Sequence, residues 1–183
     1  MTIFYDPGRL VDGDLELDLV ERHRGDPVRG LSPAYFFFMK RTGTPTVMGG
    51  INLRLGDSED VLMYYGHIGY GVDEGYRGHH YAARSCMLLF PLALRHGIDP
   101  LWITCNPDNM PSRRACELAG GVLAEIVNIP ARITDLRQRG ERQKCRYRFD
   151  LRVMGYGGPT GGFSRKRWSP AKLGTIVSGI NLT

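Results

Sequence analysis

The sequence predicts one α/β domain, a mixed and mostly antiparallel β-sheet with flanking helices. Three observations carry this expectation. Four strand-like segments come first, both helical segments come only after residue 79, and a short apolar strand separates the helices. In residues 14–23, Leu15, Leu17 and Leu19 alternate with polar side chains, the period of a half-buried strand. Residues 24–33 hold Gly25, Pro27, Gly30 and Pro33 and read as loop. Residues 34–41 form an aromatic strand, and residues 42–45 a turn. Residues 46–55 form a third strand, where Gly49 and Gly50 mark a bulge or a close backbone approach. Residues 56–60 are polar loop, and residues 61–72 read as one fourth strand.

The first helix is expected over residues 80–96, closed by Gly97. Pro91 should kink it or end its regular part, because an interior proline costs about 3 kcal/mol. Residues 101–105 form the short buried strand. Pro107, Asp108 and Asn109 cap a helix over 110–118, and Gly120-Gly121 stops it. Residues 122–129 and 144–153 read as strands joined by a polar hairpin loop over 131–143. The order is four strands, helix, strand, helix, two strands, which combines an antiparallel meander with a parallel crossover. The domain is expected to span 1–153. Residues 154–183 form a glycine-rich, basic extension that includes Arg165, Lys166, Arg167 and Trp168.

Composition bounds the function. The chain has 183 residues, 42% hydrophobic and 23% charged, with net charge +5. That size supports a real core. There is no run of 18 apolar residues and no basic start leading into an apolar stretch, so the expectation is a cytoplasmic protein without a membrane span. Cys86, Cys105, Cys116 and Cys145 lack zinc spacing and read as reduced thiols, and no metal is expected. The positive balance suits a polyanionic ligand.

Residues 68–82 carry the most chemistry. A strand pattern ends at Val72, a short turn follows, and Arg77-Gly78-His79-His80-Tyr81-Ala82 opens directly into the first helix. The first amides of a helix lack internal partners and face the positive end of its dipole, so this is an anion site. Gly78 allows close backbone approach, and Arg77 can add a bidentate contact. The spacing fits neither a P-loop nor a dinucleotide fingerprint.

The segment resembles the acyl-CoA pyrophosphate loop of the GNAT superfamily of N-acetyltransferases, Arg/Gln-x-x-Gly-x-Gly/Ala. Arg77 and Ala82 match, and His80 stands where the second glycine is usual. A second signature, Asn-x-x-Ala/Ser, is matched by Asn109 and Ser112. Asn109 is also a sufficient helix cap without any ligand. Residues 66–72, with 51–54 and 103–105, are similar to a bacterial subgroup of GNAT acetyltransferases of undefined substrate.

The resemblance implies a GNAT acyl-CoA N-acyltransferase fold, acetyl-CoA as acyl donor, and a primary amine of a small molecule or peptide as acceptor, attacked without a covalent enzyme intermediate. It implies pantetheine on the backbone of Tyr70, Gly71 and Val72. Pyrophosphate would lie on Gly78, His79, His80, Tyr81 and Ala82 with Arg77, and Arg84 would meet a CoA phosphate one turn on. Many family members carry a general-acid tyrosine seven residues after the Asn; here Cys116 stands there. A thiol can protonate a thiolate, and a core cysteine is the plainer reading. His67 and Tyr65, on one face of the expected fourth strand, are candidate bases, with a satisfied structural histidine as the alternative for His67. The family usually has helices after its first strand, which residues 24–33 are too short to supply; the C-terminal tail or a second subunit of a homodimer would complete the acceptor side. Two other classes stay in view: a CoA-binding protein without catalysis, and a basic nucleic-acid-binding module, which no binding motif supports.

Overall fold

The computed structural model describes residues 2–157. Eight strands form a single sheet in the order β1-β2-β3-β4-β5-β6-β8-β7. They are β1 (Leu10–Asp12), β2 (Leu15–His23), β3 (Ala34–Arg41), β4 (Val47–Arg54), β5 (Ile68–Val72), β6 (Leu101–Cys105), β7 (Val122–Asn128) and β8 (Gln143–Phe149). Three helices accompany them: α1 (Tyr81–Arg95), α2 (Met110–Leu118) and α3 (Thr134–Gln138). Every strand pairing is antiparallel except β5 with β6. The mixed, mostly antiparallel sheet with flanking helices is the predicted fold class.

One face of the sheet is covered. Leu15 and Leu17 of β2, Tyr35, Phe37 and Met39 of β3, Ile51 and Leu53 of β4 and Ile68 of β5 alternate inward to meet Cys86, Leu89, Phe90 and Ala93 of α1. The core continues past β8 through buried Leu151 and through Tyr156, whose ring meets Phe90 edge-on at 5.2 Å. The basic run at 165–168 lies outside the described residues. Among the described residues, no helix is long and apolar enough to cross a membrane.

Four local expectations need correction. Residues 61–72 are not one strand: Val61–Tyr65 forms a turn of π-helix, and only Ile68–Val72 is extended. Tertiary contacts override the local β-propensity. Thr104 Oγ1 donates to the Tyr64 carbonyl (2.8 Å) and Arg146 Nε to the Leu62 carbonyl (3.1 Å), holding the turn over β6 and β8. Alternation therefore does not set the facing of Tyr64 and Tyr65. Pro91 does not end α1, which runs unbroken from Tyr81 to Arg95. Leu89, Phe90, Leu92 and Ala93 around it are buried. At about 1.5–3 kcal/mol for each large apolar side chain, their packing exceeds the proline cost. The 131–143 loop contains α3, whose Leu136 packs with Tyr64, Ile129 and Ile133. Finally, β1 was not anticipated. It pairs with β2 through the two-residue loop Gly13-Asp14, whose first residue, Gly13, takes φ +58°.

Candidate active site

The site begins where β5 leaves β6. The two parallel strands register only at Ile68↔Ile103, whereas β5 stays paired to β4 from Ile68 to Val72. The β6-facing edge of residues 69–72 therefore has no strand partner among the described residues. Its backbone N–H and C=O groups can pair with an extended ligand. The glycines around the fork permit its close packing. Gly49 takes φ +150°, and a Cβ there would lie 2.2 Å from the Gly71 carbonyl oxygen. The predicted close approach at Gly49 is thus a β4–β5 contact.

Beyond Val72 the chain makes one 3₁₀ turn, Glu74–Tyr76, and enters α1. Arg77 is exposed, and its Nε donates to the Val72 carbonyl at 3.1 Å, which folds the loop back onto the end of β5. Gly78 takes φ +85° with open space around it. His80, at the position usual for glycine, adopts φ 59° and ψ 20° just before α1. It thus holds a glycine-like left-handed conformation with a side chain present.

The start of α1 is anchored to the β1–β2 hairpin. Tyr81 Oη donates to Asp14 (2.5 Å), and Arg84 pairs with Asp12 (2.6 Å) and Asp14 (2.9 Å). The Tyr81 hydrogen bond, then Arg84, hold the Asp14 carboxyl below the usual range against some burial. The structure therefore commits the Arg84 guanidinium to this hairpin. It positions the helix start, and Tyr81 has only its backbone amide available to a ligand.

The second half of the fork is α2. Asn109 caps it, with Oδ1 accepting from the Ser112 amide at 3.1 Å. Ser112 and Cys116 lie one turn apart on the same face. Both meet the Tyr70 hydroxyl, which reaches across from β5 to Ser112 Oγ at 2.9 Å and Cys116 Sγ at 3.8 Å. Cys116 is 1% exposed; its hydrogen bond with Cys105, then burial, push its thiol well up. Burial pushes the Tyr70 phenol well up too, with the neighbouring thiols adding to it. Tyr70 was singled out for its backbone alone. Its facing is legible in the alternation that puts it beside Ile68, and its partners follow only from the docking of α2.

A family model for the acetyltransferase (GNAT) family matches residues 6–120. The chain belongs to the GNAT acetyltransferase family. No curated protein matches the sequence. Solved GNAT structures share the fold. A putative ribosomal-protein-serine acetyltransferase from Vibrio cholerae matches at TM-score 0.55 and 16% identity, over 80% of this chain and 99% of that one. RimL, a ribosomal L7/L12 α-N-protein acetyltransferase, matches at TM-score 0.54 and 17% identity, over 77% and 96%. The Microcin C7 self-immunity acetyltransferase MccE, solved with acetyl-CoA and AMP, matches at 0.49 and 16%, over 64% of this chain; this match spans only 61% of MccE.

As a GNAT acetyltransferase the chain is an acyltransferase, and its other two candidate catalytic residues are braced within the fold. His67 is 3% exposed, and its Nδ1 accepts from the Trp102 amide at 2.9 Å. Burial first, then the Arg54 charge, push its pKa down to about 4. Tyr65 Oη donates to Asp135 of α3 at 2.6 Å; burial and then that carboxylate push the phenol well up. The structure thus gathers Tyr70, Gly71, Val72, Arg77, Gly78, His79, His80, Ser112 and Cys116 around the fork and the start of α1. It sets Arg84, His67 and Tyr65 into contacts of their own. Among the described residues, no group of His, Cys, Asp and Glu side chains is arranged to hold a metal.

Proposed function

We propose that the protein transfers an acetyl group from acetyl-CoA to a primary amine. The parting of β5 from β6 after Ile68↔Ile103, directly before the start of α1, carries this reading. The unpaired edge of residues 70–72 suits the amide groups of pantetheine, and amides from Gly78 to Ala82 suit the pyrophosphate. Arg77 and His79 stand beside them. The fit rests on backbone groups, so His80 in place of glycine is accommodated by its left-handed conformation.

The amine nitrogen attacks the thioester carbonyl carbon. A C–N bond forms, the C–S bond breaks, and its electron pair leaves on sulfur. The amine proton passes to solvent, and the thiolate gains a proton. Holding both reactants at the fork supplies most of the acceleration, up to about 7–11 kcal/mol in well-aligned reactions. Tyr70 is the proton donor this reading favours. Its hydroxyl faces the Ser112–Cys116 side of the gap. Cys116 lies deeper, hydrogen-bonded to Cys105. His67 is assigned a positioning role, because the lone pair a base needs is occupied by the Trp102 amide.

RimL is by name an α-N-protein acetyltransferase, so the acceptor panel includes peptide amino termini beside small amines. The test is a thermal shift with CoA followed by thiol release from acetyl-CoA across that panel. A shift with turnover supports the reading. No shift at millimolar CoA overturns it, and a shift with no turnover on any amine leaves a CoA-binding protein without catalysis.

A further inference from the structure

Arg54, the last residue of β4, is half-buried and meets no carboxylate among the described residues. Arg84, Lys144 and Arg146 are also set into the fold, and each has one: Asp12 and Asp14, Glu141 and Glu125 in turn. Arg54 Nη1 donates instead to the Tyr65 and Gly66 carbonyls at 3.3 and 3.1 Å, which fixes the side chain beside the start of β5. Its Nε and Nη2 have no partner among the described residues. Neither is shut in, since the buried side-chain atoms that lack a partner there are Asn52 Oδ1 and Ser85 Oγ. Nε and Nη2 form one edge of the guanidinium, an edge that grips a carboxylate through two parallel hydrogen bonds. Burial draws the Arg54 pKa down, as it does for a charge without compensation.

Arg54 stands between two features. One is Gly69, where β5 begins to part from β6. Arg54 Nη2 and Nη1 and Asn52 Nδ2 lie 3.3, 3.4 and 3.2 Å from where a Gly69 Cβ would stand. All three nitrogens are donors, so this spot repels a cation and suits an anion. The other feature is a cleft of about 270 Å³ on the face away from α1, between β2, β3 and the 24–33 connection. Strand register builds it. His23, Ala34 and Arg54 are cross-strand neighbours on β2, β3 and β4, and the small Ala34 leaves a gap between the other two. Leu31 and Phe36 give the cleft apolar walls. His23 Nδ1 accepts from the Gly25 amide at 3.0 Å, so its proton sits on Nε2, a donor with no partner among the described residues. The exposed Glu21 is the cleft's one carboxylate. One cation against one carboxylate suits a singly charged carboxylate ligand better than a phosphate dianion.

We infer that Arg54 holds the carboxylate of the acceptor, and that the acceptor is an α-amino acid. The inference rests on the acetyl-transfer reading. The α-carbon of such a ligand joins a carboxylate, an amine and a side chain. With the carboxylate on the free edge of Arg54, the side chain enters the cleft. The amine then faces the unpaired edge of β5 beyond Gly69, on the fork side of the guanidinium. There the C–N bond forms, the C–S bond breaks with its electron pair on sulfur, and the amine proton passes to solvent. The carboxylate is unchanged, and the products are an N-acetyl amino acid and CoA. A peptide amino terminus carries an amide in place of this carboxylate and would leave Arg54 without a counter-charge.

The test uses the whole chain and two matched sets of probes, the common amino acids and their α-carboxamides. Thiol release from acetyl-CoA reads turnover, and saturation-transfer NMR reads binding without CoA. The free acids are expected to bind and turn over in preference to their amides. The amides carry the less basic amine, so amine reactivity alone would favour them instead. Arg54→Gln should lower kcat/KM for the preferred acid about tenfold to a hundredfold, mainly through KM, and leave the amides unchanged. Arg54→Lys keeps the charge without the fork and should recover part of the loss. A purely structural Arg54 would lower acids and amides alike. Amides used as well as acids, or an acid KM unmoved in Arg54→Gln, overturns the inference; the wild-type ratio decides it even where the variant does not fold. Acid binding that needs Arg54, with no turnover on any amine, overturns acetyl transfer and the acceptor role and leaves the carboxylate site standing.

Discussion

The two faces of the central sheet make contrasting use of the same strands. On the covered face, β2 to β5 point Leu, Tyr, Phe, Met and Ile into α1, and the helix start and forked strands beside it offer a ligand mainly backbone groups. Among the described residues, no helix covers the opposite face of the same strands over β2–β4, and there they offer side chains: the exposed Phe36 and Phe38 beside Asp18 and Glu21. A backbone site can recognise a constant donor, because every chain has N–H groups to present. A side-chain site can differ from one family member to the next. The contrast explains why a short motif names the donor while the acceptor has to be argued from geometry.

The largest effect is expected where the two faces share one atom-scale contact. Gly49 sits in the β4 bulge at φ +150°, with the Gly71 carbonyl 2.2 Å from where a Cβ would stand. Gly49→Val forces β4 off β5 and disturbs the donor edge and the opposite face together. The loss should exceed about 4 kcal/mol, beyond the usual range for one substitution. Urea denaturation with and without CoA measures it. A stable variant that keeps CoA binding would mean the faces are not coupled through this contact.

His67 sharpens the comparison through pH. It braces β6 beneath the π-helical turn, and burial holds it neutral, with a folded pKa of about 4 against an ordinary 6.5. Its folded value is depressed, so its contribution is complete above about pH 6.5 and lost as pH falls toward 4, where the unfolded chain takes up a proton that the folded one refuses. The lost stability approaches about 3 kcal/mol. His67→Gln should flatten this part of the stability–pH curve, read from urea midpoints between pH 7 and 4. If His67 were instead the catalytic base, the same variant would remove the acidic limb of the kcat profile while leaving the stability curve steep.

Sequence pattern alone places most of this architecture. Alternation locates β2, an aromatic run locates β3, a short apolar run locates β6, and capping chemistry locates α2. The misses have physical causes. Residues 61–65 carry strand-like side chains, yet Arg146 and Thr104, distant in sequence, bind their carbonyls into a helical turn. Pro91 obeys packing rather than propensity. Arg84 looked free for a phosphate because Asp12 and Asp14 meet it only once the hairpin folds. The missing cover was legible in the shortness of residues 24–33, but which side chains share that face was not, since their rows exist only in the register of four strands. Tyr70 lay between these cases: its facing followed from alternation, its partners only from the docking of α2.

The smallest predicted effect tests whether the donor side depends on backbone rather than side chain. His80 adopts φ 59° without a side-chain capping bond to α1, and its carbonyl accepts the Arg84 amide at 3.0 Å to begin the helix. A left-handed conformation costs a residue with a Cβ about 1 kcal/mol or more, and glycine nothing in the folded state. Glycine has more freedom to lose on folding, which offsets part of that gain. His80→Gly should therefore stabilise the protein by roughly 0.5 kcal/mol and keep or tighten CoA binding. His80→Ala retains the strain and loses the ring, so it should be less stable than both. Urea midpoints rank the three proteins, and a CoA titration ranks their affinities. The order Gly, His, Ala in stability, with CoA affinity following it, assigns the loop to its backbone. An alanine variant as stable as the glycine one, or a glycine variant that loses CoA, assigns it to the imidazole instead and removes the contrast between the two faces.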